Sequence, residues 1–354
     1  MDNNKDVLNG ELFNGQHSAF YISDVDSQTT LDKSTSNNAK DKTIDSKNLL
    51  LGSDKTKITT SVVDVNLLTR DKISYTLLDK DIINKGEQVL SMEKRGSADV
   101  VVTKLIVSLD IDEIGKISKN LTFTYFDKSV FDAVCSLLSV GNQAISLSMI
   151  ARTMLGKKPS YHPNQILLSE ISNSINKLEK IKVYIDMSDE MIHFSQLNKD
   201  DVSQCILESR FFEFKKLRTI MKSKKVDVLI FSDEPILLKY AKMRSQISSI
   251  ANYLLDTPTQ KTKNSLTVQS YLLQKINILK LNKNLPQCIM YDAIYDLFDE
   301  FKNNELPLKT KESMRSRIRK AITDILNFWV QEKFIENYEI ERKDKAYYKI
   351  NIKI

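Results

Sequence analysis

The sequence predicts an α+β, mainly helical chain: two tandem winged helix-turn-helix domains preceded by a disordered N-terminal tail. Three observations predict it. Residues 309–354 hold a long amphipathic helical pattern followed by two β-type runs around a basic tip. Residues 127–185 hold a looser version of that order: helix, short helix, polar-faced helix, strand. Residues 1–60 carry scattered apolar residues among Asp, Asn, Ser, Thr and Lys. Such a composition buries too little surface to offset the entropy of ordering.

The implied division is a disordered tail (1–60), an N-terminal extension packing on the first domain (61–120), a first winged helix (121–232) and a second (233–354). In the extension, 62–68 and 100–109 are β-rich runs, with a helix over 75–93 between them. Beyond Asp127, the residues Val130, Val134, Leu137 and Leu138 share one helical face, and Gly141 with Asn142 ends that helix. Ser146 caps a short helix carrying Leu147, Ile150 and Met154, closed by Gly156. The next helix, 164–180, buries Leu168, Ile171, Ile175 and Leu178. Its other side presents Gln165, Ser169, Asn173, Asn176 and Lys177. Strand-like segments follow at 181–187, 191–194, 206–217 and 226–231.

The second domain opens with Pro235 in the first turn of a helix reaching Lys242. A connecting segment, 246–257, leads to an exposed loop at 257–263. A helix over 266–281 uses Leu272, Ile276 and Leu279 as core positions, and one over 291–301 is built on Ala293, Ile294, Leu297 and Phe301. Pro307 breaks the chain before the terminal helix, 309–332, whose core stripe is Met314, Ile318, Ile322, Ile325 and Trp329. A hairpin, 334–340 and 346–354, completes the outline.

Charge points to the partner. The net charge of +6 is modest, but seven basic residues face one glutamate over 210–225, and twelve face eight acids over 303–354. Positive charge in the C-terminal half favours a polyanion. On the terminal helix, Lys309 and the stripe Lys311, Arg315 and Arg319 are the candidate DNA contacts, with Arg342, Lys343 and Lys345 at the hairpin tip. Arginine pairs bidentately with guanine, and Gln or Asn with adenine, so Gln165, Ser169, Asn173, Asn176 and Lys177 form the corresponding face in the first domain. A charged or polar helix face is also the ordinary solvated surface of an amphipathic helix. Alanine at Arg315 or Arg319 is expected to leave folding unchanged, since the core stripe lies elsewhere.

Several chemistries lack their residues. All eight glycines lie at or before Gly156, and none forms a phosphate-cradling GxxxxGK[ST] loop. His17, His162 and His193 stand apart, without the paired histidines of a metal-dependent nickase. Cys135, Cys205 and Cys288 are odd in number and unpaired in spacing, which suits reduced core thiols. No catalytic residue, metal site or cofactor is expected. The absence of a long apolar run implies a cytoplasmic protein without membrane attachment.

Two stretches are similar to a known family. Residues 125–137, with Gly141, Asn142 and 145–156, resemble the first winged helix of replication-initiator-like proteins of Gram-positive bacteria and their mobile elements. Residues 311–320, with Trp329 and the exit 334–338, resemble the recognition helix of their second domain. The likeness spans about 121–354 and implies binding to repeated origin sites of a plasmid or mobile element, in double-stranded DNA. It further implies local strand opening and recruitment of host replication proteins. A second copy of the chain, as a homodimer, is a further candidate partner. A winged-helix transcriptional or partition regulator, or a structural adaptor, would use the same domains.

Overall fold

A computed structural model of the chain describes residues 60–64, 87–95, 100–109, 124–186, 188, 204–221, 224–243, 247–281, 284–302, 306–344 and 346–354. The expected disordered tail, apart from Thr60, lies outside the described residues, as does most of the helix expected over 75–93. The fold mixes helix and strand. It begins with β1 (Thr60–Asp64), β2 (Glu87–Arg95) and β3 (Val100–Leu109). Residues 87–93, expected to be helical, are strand: β2 pairs along its whole length with β3. The apolar positions there follow a two-residue period as readily as a helical one.

The first half then runs α1 (Tyr125–Ser139), β4 (Ala144–Ser146), α2 (Leu147–Met154), α3 (Gln165–Leu178), β5 (Ile181–Asp186), β6 (Ile206–Arg210), β7 (Lys215–Met221) and β8 (Lys224–Ile230). Thr124 and Asp127 form a reciprocal capping box at the start of α1. Ser146 and Asn164 cap α2 and α3 by accepting bonds from Met149 and Leu167 backbone N–H groups. The second half runs α4 (Ile236–Met243), β9 (Ile247–Ala251), a 3-10 turn (Asn252–Leu255), α5 (Lys263–Leu281), β10 (Cys288–Met290), α6 (Tyr291–Tyr295), α7 (Asp299–Lys302), α8 (Leu308–Gln331), β11 (Asn337–Lys343) and β12 (Ala346–Lys353).

Among the described residues, all sheets are antiparallel. Two three-stranded sheets share one plan: β4-β8-β7 in the first half and β10-β12-β11 in the second. In each, a short strand before the helices pairs with the last strand of a following hairpin. A four-stranded sheet, β2-β3-β5-β6, is added to the first half, and β1 pairs with β9.

Several expectations need correcting. The strand expected after α3 is β5, held between β3 and β6, and the basic run over 210–225 enters the hairpin β7–β8. The run 206–217 is two strands, because Phe211 and Phe212 between them are fully buried. The helix over 291–301 breaks into α6 and α7. The segment 246–257 contains β9 and the 3-10 turn. The loop 257–263 is less exposed than its composition implies: Thr257 is buried and donates to Gln269 Oε1 at 2.7 Å, while Gln269 Nε2 donates to Leu255 O at 3.0 Å.

Two cores meet across shared helices. The first gathers Val130, Val134, Ile150, Ile171 and Ile175 around the rings of Phe131, Phe211, Phe212 and Phe231. The second gathers Leu272, Ile276, Ile322, Ile325 and Ile350 around Trp329 and Tyr291. Leu266 of α5 belongs to the first core, and Tyr125 of α1 belongs to the second, edge-on to Tyr271 at 5.1 Å. Gly156 adds a backbone junction. At φ +62°, it lets Asn252 O approach to 2.4 Å of where a Cβ would lie. Cys135 is buried in the first core, and Cys135, Cys205 and Cys288 are not joined by disulfides. Among the described residues, no helix is long and apolar enough to cross a membrane.

Candidate nucleic-acid interface

Helix α8 decides which of its cations face outward. Ile318, Ala321, Ile322, Ile325, Leu326 and Trp329 are buried, and Trp329 Nε1 donates to Leu254 O at 2.9 Å. A helix turns about 100° per residue, so the face opposite that stripe carries Lys309, Ser313, Ser316 and Lys320, with Arg317 beside them. All five are exposed. Lys309 was expected there; Arg317 and Lys320 were missed.

The expected stripe Lys311, Arg315 and Arg319 sits on the flank, half-buried against aromatic rings. Lys311 Nζ donates to Phe301 O at 3.4 Å. The Arg315 guanidinium lies 5.5 Å from the ring centroids of both Tyr295 and Phe301, and its Nε is enclosed without a hydrogen-bond partner. Arg319 lies 4.8 Å from the Tyr347 centroid and donates to Glu312 Oε1 at 2.5 Å. Glu312 also pairs with Arg315 at 3.7 Å. The hydrogen bond from Arg319 holds the Glu312 carboxyl below its usual range. Stacking and pairing thus make this flank a brace from α8 to α6, α7 and β12.

The hairpin tip continues that brace. Arg342 lies 4.4 Å from the same Tyr347 ring and donates to its hydroxyl at 2.8 Å. Lys343 is exposed, next to Asp344 at φ 51°. Lys345 lies outside the described residues. Beneath the stack, burial pushes the Tyr291 hydroxyl far above its ordinary pKa, so it stays neutral.

On α3, Gln165, Ser169, Asn173 and Asn176 are exposed along one side. Lys177 differs: its ammonium pairs with the carboxylate of Asp127, which is 2% exposed. The same carboxylate accepts from Ser174 Oγ and Thr124 N, each at 2.7 Å. Lys177 therefore neutralises a buried acid. Asn176 Oδ1 accepts from Lys216 Nζ of β7 at 3.0 Å, and Lys216 also pairs with Glu179 at 2.6 Å. This links the polar helix to its basic hairpin.

The arrangement brings the two helices together. The start of α3 (Asn164, Ile166, Glu170), the loop before α5, and the outward face of α8 line one open groove of about 840 Å³. Lys261, Lys263, Lys309, Arg317 and Lys320 line it against two acids, Glu170 and Asp324. Lys263 pairs with Glu170 at 3.3 Å. Burial draws the Lys261 ammonium down to about 8, against the opposing pull of Asp256. Its ammonium donates to Thr257 O. Lys261 and Lys263 were also missed, because a lysine in a polar stretch looks like any loop lysine until the fold sets it opposite others.

No family model matches the chain. No curated protein matches it either. Among solved structures, the chain is similar to crystal structures of domains 2 and 3 of RctB. One shows 10% identity and a TM-score of 0.37, covering 77% of this chain and 96% of that one. Another shows 10% identity and a TM-score of 0.33, covering 76% and 91%. Likeness this loose assigns neither fold family nor function.

Proposed function

We propose that the chain is a non-catalytic, sequence-specific double-stranded DNA-binding replication initiator, built from two winged helix-turn-helix units. The observation that carries this reading is the groove. The start of α3 (Ile166, Glu170) and the outward face of α8, from different halves, line one groove in which five cations outnumber two acids. Hydrogen-bonding side chains on one helix and cations on the other suit a duplex, whose phosphates supply affinity and whose base edges supply sequence. The shared sheet plan, in which a hairpin follows each of these helices or its strand extension, supports the winged-helix assignment. The resemblance of residues 125–156 and 311–338 supports the initiator role and, with it, origin repeats, strand opening and host replication proteins as partners.

Two measurements test the reading. Titration of the full chain against duplexes from its own gene region should give sites bound more tightly than scrambled duplex. A plasmid lacking any other origin should then be maintained when it carries this gene with those sites. Site-specific binding without plasmid maintenance would favour a regulator. Indifference to duplex DNA at low salt would leave an interaction module.

A further inference from the structure

Two side chains at the starts of α3 and α8 remain unexplained. Among the described residues, Leu308 and Ile166 are the most exposed large hydrophobics, at 83% and 77%. Single exposed apolar residues are common and need no explanation. These two hold matching places in the two halves. Ile166 is the second residue of α3 and Leu308 the first of α8, each in the opening turn of the helix that leads toward a strand.

Their surroundings say what kind of group could cover them. Exposed hydrogen-bonding side chains stand beside Ile166, namely Gln165, Ser169 and Asn173. Leu308 is followed by Lys309, with Ser313 further along the exposed face. Ile166 itself lines the basic groove. An apolar protein partner would have to desolvate those cations, whereas a nucleic acid neutralises them. In the major groove, the apolar feature of a base edge is the C5 methyl of thymine. A helix entering that groove contacts bases with its N-terminal residues.

We propose that Ile166 and Leu308 are thymine readers, each packing on a C5 methyl at its own position of the bound duplex. This rests on the duplex-binding reading above and adds the base that each helix start selects. A polar side chain in either place would leave the methyl unmatched, so both positions determine specificity.

The test uses duplexes that the full chain selects from a random-sequence pool. Each is resynthesised with deoxyuridine replacing one thymidine at a time, which removes the methyl and keeps every hydrogen-bonding group. For the wild-type chain, at least two such replacements should weaken binding about fourfold, the worth of one buried methyl group. Ile166→Ser should abolish the thymine preference at one of these positions, and Leu308→Ser at the other. Exposure makes both variants fold normally, which a melting curve checks. A wild-type chain that binds selected duplexes yet ignores every replacement overturns the proposal and leaves duplex binding standing. Variants that keep both thymine preferences overturn the assignment to these residues. A chain that selects no duplex overturns both readings.

Discussion

The two halves share an order of elements and differ in what their exposed helices offer. α3 presents Gln165, Ser169, Asn173 and Asn176, and its one nearby lysine is tied to Asp127. α8 presents Lys309, Arg317 and Lys320. The first helix can therefore donate and accept hydrogen bonds without net charge, while the second is an electrostatic surface. Under the duplex-binding proposal, the first face suits hydrogen bonds to base edges and the second suits phosphate contacts. The first half also carries the added sheet β2-β3-β5-β6, so its hairpin lies farther along the chain than in the second.

The largest effects concern whether the halves are separable. α5 contributes to both cores, and Tyr125 of α1 sits in the second. Trp329→Ala should cost about 3–5 kcal/mol, through the cavity and the lost bond to Leu254 O. Asp127→Ala in the first half should cost about 3 kcal/mol, because it strips the capping box and leaves Ser174 and Lys177 without their shared acceptor. Denaturant unfolding with fluorescence and circular dichroism should show one transition in each variant. A second transition confined to one half would make the halves independent.

Next come the two helix faces. Lys309→Ala with Lys320→Ala should weaken binding to all duplexes similarly and make the salt dependence shallower by about one unit per lost phosphate contact. Asn173→Ala should instead relax preference at one base pair, with a loss of about 1–3 kcal/mol on the selected duplex alone. Titrations of both variants over a range of salt decide it. The comparison breaks if Asn173→Ala changes the salt slope, or if the lysine pair changes base preference.

Legibility differed between the same regions. The terminal helix and hairpin were readable because Ile318, Ile322, Ile325 and Trp329 recur at helical spacing and α8 is long. α1 and α2 were readable because Ser146, Gly141 and Gly156 are strong local signals. What failed was long-range. The pairing of β5 with β3 was not legible, because it leaves no mark in either strand's own letters. The basic stripe was placed one flank away from the exposed face, since four-residue spacing fixes a stripe but not what packs against it. Tyr295, Phe301 and Tyr347, which cover Arg315 and Arg319, come from three other elements. The groove joins residues as distant in sequence as Asn164 and Asp324.

That misplacement changes an expectation about stability. Arg319→Ala was expected to be silent in folding. With its guanidinium over Tyr347 and bonded to Glu312, it should now cost about 1 kcal/mol, mostly from lost stacking. Lys309→Ala, on the exposed face, should cost nothing measurable. Thermal melts of the two single variants compare flank with face. Equal melting temperatures would return Arg319 to the solvated surface.

The smallest effect is a pH dependence in the groove. Lys261 loses its proton near pH 8, while an unfolded chain holds it to about 10.5. Between those values the unfolded state binds more protons, so this group makes stability rise with pH across that window. Binding should move the other way, because deprotonation removes one of the five groove cations. Duplex affinity measured at constant ionic strength should therefore fall modestly between pH 7 and pH 9, while the melting temperature gains a small upward contribution. Lys261→Met, neutral at every pH, should flatten both trends. A parallel fall in affinity in that variant would place the titrating group elsewhere, and a rise in wild-type affinity with pH would remove Lys261 from the contact surface.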